Sequence, residues 1–320
     1  MAALALSAIG APAYARAQQA PKVYRIGVLG VASPLTYGRQ VDALRRGLRE
    51  LGYVEGKNVA LEFRWAEGNA ARLPELAADL VRMNPDVVVT SGQATAVAKR
   101  ATTTIPIVMA VSTNAVENGL IASLARPGGN ITGSSSFARE LTLKRLELMK
   151  EAFPRLQRIG LLVHSNNTAS NPGLIRAMEE AARSIKAELQ VVEISGTADF
   201  ERAFAALAKG RAEALIVADH TVLVAEAAQI SRLANANRLP VSGFAEIANT
   251  GGLMAYGVDF PVLWHRAATF VHRILQGAKP GDLPVEQPMK FEFVVNLATA
   301  KTLGATIPSS VRMRADRVLE

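Results

Sequence analysis

The chain has 320 residues, of which 49% are hydrophobic and 20% charged, with no cysteine and a formal net charge of +8. This length predicts two domains of ordinary size, and the hydrophobic content excludes a long unfolded stretch. The absence of cysteine excludes a disulfide framework, thiolate metal ligands, a Cys nucleophile and lipid attachment at an N-terminal Cys. The basic residues are dispersed, as at Arg45, Arg46 and Arg49, with few aromatics between them. They read as solvated helix faces, and no nucleic-acid partner is expected.

Residues 1–17 are small and apolar, contain no acid, and end in Ala15-Arg16-Ala17, which resembles an A-x-A cleavage site. They are expected to be an export signal, although the basic n-region of a complete signal is missing. No apolar run approaches the roughly 20 residues of a membrane span, so a soluble, periplasmic mature protein is expected. From there, short apolar runs alternate with helical patterns, the signature of β-α units around parallel sheets. Strands are predicted at 23–29, 59–65, 87–90 and 107–109, with helices through Val41, Leu44, Leu48 and Leu51, over 73–83 and over 95–101. The Gly-rich segment 126–133 and the serines 134–136 suit a chain leaving one lobe for another.

The pattern then restarts. Ile26-Gly27-Val28-Leu29 is answered by Ile159-Gly160-Leu161-Leu162 and a helix over 172–186, and DVVVTSGQAT with its later IPIVM by EALIVADHTV with LPVSGF. A helix over 222–237, another over 261–276 and a strand over 291–295 follow. Two similar half-chains imply two similar lobes. The fold class expected is α/β, two doubly wound parallel-sheet lobes joined by a hinge of several crossings. One lobe is expected to hold residues 23–136 with about 256–280, and the other 137–255 with about 281–320.

In such sheets ligands bind outside the carboxyl ends of the strands. The candidate ligand-binding residues are therefore Ser33 and Leu35 after the first strand, Ser91, Gly92 and Thr95 after the third, and Ser112 and Asn114 after the fourth. The second half adds Asn166, Asn167 and Asp219, with Phe244 and Tyr256 as aromatics near the cleft. Ser91, Thr95, Asn167 and Asp219 are also residue types that cap helices. His265 and His272 are seven residues apart, too far for a metal pair on one helix turn, and no G-x-S-x-G or H-E-x-x-H occurs. No catalytic residue, metal site or cofactor is expected.

Five segments carry a family resemblance: LRELGYVEGKNV (48–59), NGLIASLARPGGNITG (118–133), GGLMAYG (251–257), the run from Arg273 to Gly304, and the ending RADRVLE. In these the chain resembles the TrpX-like ABC transporter substrate-binding proteins, a group of type I periplasmic binding fold, over nearly its whole mature length. The resemblance implies a monomer that closes on a small-molecule ligand, an amino acid or aromatic acid, and delivers it to an ABC permease in the inner membrane. It also implies that Asp219 of the D-[NH]-T pattern meets an α-amino group and that Ser91, Gly92 and Thr95 of S-G-x-x-T hold the carboxylate. The family's usual D-P-V reads Thr113-Asn114-Ala115-Val116 here, and the second-half loop is Asn-rich where many relatives carry N-P. A sensory binding protein for a membrane receptor, or an enzyme on the same fold, are the alternatives.

Overall fold

The computed structural model describes residues 22–165 and 172–320. Its first half builds a five-stranded sheet from β1 (Tyr24–Gly30), β2 (Val59–Trp65), β3 (Val87–Ser91), β4 (Ile107–Thr113) and β5 (Ile131–Ser136). The order is β2-β1-β3-β4-β5 and every pair is parallel. The helices between them are α1 (Gly38–Glu50), α2 (Leu73–Arg82) and α3 (Gln93–Ala101).

The second sheet has seven strands in the order β12-β11-β10-β9-β8-β6-β7. They are β6 (Arg158–His164), β7 (Glu188–Ile194), β8 (Ala214–Val217), β9 (Val241–Gly243), β10 (Met254–Gly257), β11 (Glu292–Asn296) and β12 (Arg317–Leu319). All its pairs are parallel except β10 with β11. Around it lie α4 (Ala138–Ala152), α5 (Pro172–Ser184), α6 (Phe200–Lys209), α7 (Thr221–Ala225), α8 (Ala227–Ala236) and α9 (Ala245–Asn249). Helices α11 (Leu297–Thr302) and α12 (Ser309–Arg312) follow β11. The two sheets, each of parallel βαβ units, are the expected two-lobed α/β fold.

Helix α10 (Phe260–Leu275) comes after β10 of the second sheet yet packs on the first lobe. Its Trp264, Ala268 and Val271 share a core with Val41, Leu44 and Leu48 of α1. The two helices approach closely because Gly47 has no side chain: a Cβ there would stand 2.6 Å from the His265 carbonyl oxygen. The chain then runs beside β5, with Val285 N–H donating to Leu124 O (2.8 Å) and Glu286 N–H to Gly133 O (2.9 Å), before entering β11. Three passages thus join the lobes: β5 to α4, β10 to α10, and the segment before β11.

Two elements differ from the sequence reading. The polar run expected to leave the first lobe is strand β5, buried throughout. Its hydroxyls are tolerated because neighbours satisfy them, the Thr132 hydroxyl donating to Leu283 O (2.8 Å) and the Ser135 hydroxyl accepting from Ala115 N–H (3.2 Å). The helix expected over 222–237 is broken at Glu226 into α7 and α8. The break lets α7 lean on the first lobe, where Val222 is buried with Leu29, Val31, Ala94 and Leu120.

Candidate functional site

A cavity of about 520 Å³ lies between the lobes, at the carboxyl ends of the parallel strands. Helix α3 presents Gln93, Ala96, Val97 and Arg100 to it, and the ends of β4 and β5 contribute Ser112, Thr113 and Ser136. The other lobe closes it with Asp219, His220 and Thr221, and Phe260 at the start of α10 completes an apolar wall with Val111 and Leu141.

Gly92 sets the entry to α3. Its φ of 53° turns the chain sharply out of β3, a conformation that favours glycine. A Cβ there would lie 2.6 Å from the Thr221 methyl of the opposite lobe, so the lobes touch at this point. Together with buried Val222, this contact means that the cleft is shut.

The deepest charge in the site is a pair. Arg145 of α4 is wholly buried and donates to Tyr256 O (2.8 Å), Val217 O (3.0 Å) and Asp219 Oδ1 (2.9 Å). The guanidinium therefore fixes the Asp219 carboxylate against the ends of β8 and β10 and balances its charge.

Beside it, His220 Nδ1 accepts from Val222 N–H (3.3 Å), which assigns the proton of the neutral ring to Nε2. His220 stacks on His164 with ring centroids 3.9 Å apart. Burial holds the pKa of both rings below the usual imidazole value, and His164 lowers that of His220 further, so the stack is uncharged at neutral pH. The His220 Nε2–H is shielded from solvent and meets no acceptor among the described residues.

Tyr37, at the foot of α1, is buried on the cavity wall. Burial pushes its phenol upward, Ser91 opposes this, and Glu246 of α9 adds to it. Burial likewise pushes Glu246 up to about 7, while its own backbone N–H and Arg39 act downward and Asp259 and Asp219 upward.

Residues 25–319 match the family model of ABC transporter substrate binding proteins. The chain belongs to that family. A tyrosine-binding protein of Clostridioides difficile is 28% identical over 285 residues, covering 88% of this chain and 81% of the relative. A crystal structure of a conserved domain protein from Vibrio cholerae superposes with a TM-score of 0.85 at 28% identity, covering 93% of this chain and all of the other. The ABC domain from Streptococcus pneumonia in complex with L-Trp gives a TM-score of 0.82 at 25% identity, covering 92% and 100%.

In this substrate-binding protein three residues singled out from sequence, Gly92, Ser112 and Asp219, line the cavity. Ser91 is buried beside Tyr37. Thr95 is turned into the core, where its hydroxyl pairs with that of Thr90 (2.9 Å), and it does not line the cavity. Leu35 is 94% exposed, and Ser33 is occupied in a turn with Thr36 (3.2 Å), so the first-strand loop does not reach the cavity. Asn114 takes a positive φ of 49° at the end of β4 and does not line the cavity. Phe244 is fully buried in the second-lobe core, with its ring 6.4 Å from Phe260, and Tyr256 packs on Phe291. Asn166 and Asn167 lie outside the described residues.

Sequence reasoning missed Tyr37, Arg100, Arg145 and Phe260. For Arg145 a signal existed, since it sits at i+4 from Leu141 and i−4 from Met149 on the buried face of α4, where a charge implies a buried partner.

Proposed function

We propose that this protein is an extracytoplasmic carrier that captures an amino-acid-type solute with an apolar body between its lobes and passes it to an ABC permease. The observation that carries the reading is the shut interlobe cavity, polar where Gly92, Asp219 and Thr221 converge and apolar along Ala96, Val97, Val111 and Phe260. Among the described residues no helix is long and apolar enough to cross a membrane, which suits a partner that supplies the membrane passage.

A zwitterionic head group completes an alternating set of charges. The ammonium approaches the Asp219 carboxylate already held by Arg145, and the solute carboxylate approaches the N-terminal turn of α3, where the helix dipole and cleft hydroxyls favour an anion. The solute contacts both lobes only when they are shut, so it favours the shut form by its differential affinity.

The test is calorimetric titration with L-tryptophan, L-tyrosine and L-phenylalanine, beside mass spectrometry of whatever co-purifies. Saturable binding of at least one, with about 2.7 kcal/mol of stabilisation at 100 times the dissociation constant, is expected. No binding by any of the three, with no small molecule co-purified, would sink the reading.

A further inference from the structure

The floor of the cleft is one face of α3. Gln93, Ala96, Val97 and Arg100 fall at i, i+3, i+4 and i+7, and all four line the cavity. From Gln93 to Arg100 the helix rises roughly 10 Å. Beside Gln93 stand the polar groups of Asp219 and Thr221, the middle is apolar, and Arg100 lies exposed at the far end.

The charges along this floor do not cancel. Asp219 is the only carboxylate among the described lining residues, and Arg145 already balances it at 2.9 Å. Arg100 forms no ion pair or hydrogen bond with the described residues. Glu117, on the turn after β4, is engaged by Arg139 (3.5 Å). Lys99, the other basic residue in the last turn of α3, is bonded to Gly119 O of the loop after β4. Among the described residues Arg100 is thus the one charge on the cavity lining without a partner, separated from the polar end by an apolar stretch.

We propose that the cleft takes an anionic amphipathic solute, whose head group sits at the Gln93 and Thr221 end, whose apolar body lies on Ala96 and Val97, and whose distal carboxylate or equivalent anion meets Arg100. The inference rests on the solute-binding reading above and narrows its ligand class. A guanidinium and a carboxylate brought together at the cleft mouth gain a charge-assisted hydrogen bond that a neutral distal group cannot make.

The test compares L-phenylalanine with 4-carboxy-L-phenylalanine, which differ only in that distal group, by calorimetry on the wild-type protein and on Arg100→Gln. The wild type is expected to bind the carboxylated probe about tenfold more tightly than phenylalanine, with the gain shrinking as salt is raised. Arg100→Gln is expected to erase the gain, so that the two probes bind the variant alike, while the ligand-free unfolding midpoint stays unchanged, because the side chain is exposed and meets no partner among the described residues. Equal or weaker binding of the carboxylated probe, or a gain that survives in Arg100→Gln, overturns the inference and leaves the solute-binding reading standing. Binding of neither probe overturns the inference, and the same silence from L-tryptophan and L-tyrosine, with no small molecule co-purified, removes the broader reading as well.

Discussion

Arg145 and Asp219 show how one buried pair joins structure to recognition. The guanidinium has three acceptors and no solvent, so truncating it strands a carboxylate at the cavity wall. Arg145→Ala is expected to lower unfolding stability by about 3–5 kcal/mol in urea titrations, whereas Arg145→Met with Asp219→Leu recovers much of that loss. A double variant as unstable as the single one would show that the charge is not the issue. Glu246 offers a second residue-scale prediction. Its folded pKa of about 7 lies above the ordinary 4.5, so its contribution to stability is full below 4.5 and is lost as pH rises through 7. Arg39, Tyr37, Asp219 and Asp259 face it and are all retained in Glu246→Gln, so the comparison isolates the Glu246 carboxyl. Between pH 5 and pH 8 the wild type is therefore expected to lose about 2 kcal/mol more than Glu246→Gln. Equal losses in the two proteins would remove the assignment.

At the scale of elements, periodicity did most of the work. The helical spacing of Val41, Leu44 and Leu48 placed α1, and the strand-loop-helix repeats placed β1, β3, β6 and β8 to within a residue or two. Strand β5 escaped because Thr132 and the serines 134–136 carry no apolar alternation, and their burial depends on acceptors and donors brought from 115 and 283. The split between α7 and α8 escaped for a related reason. Nothing near Glu226 forbids a continuous helix, and the break follows from packing Val222 against the opposite lobe.

For the whole molecule the decisive contact is the one α7 makes across the cleft. Val222 belongs by sequence to the second lobe and by packing to the first. A charge placed there must be buried without a partner each time the lobes meet. Val222→Asp is expected to weaken solute binding by at least about tenfold and to keep the radius of gyration large in small-angle scattering when L-tryptophan is added, while the wild type contracts. Contraction of the variant equal to that of the wild type would place the closing contact elsewhere.

The amino-acid order by itself determined the two-lobed α/β architecture and the family, since these follow from hydrophobic period, internal repetition and local motifs that need no distant partner. It also located the strand ends where a cleft must form, and Gly92, Ser112 and Asp219 reach the cavity from those ends. Only the tertiary structure decided which side chains face that cleft. Thr95 turns to Thr90, Asp219 is met by an arginine 74 residues away, and Arg100 meets no partner among the described residues, because the direction of a side chain depends on what packs behind it and not on its place in a motif.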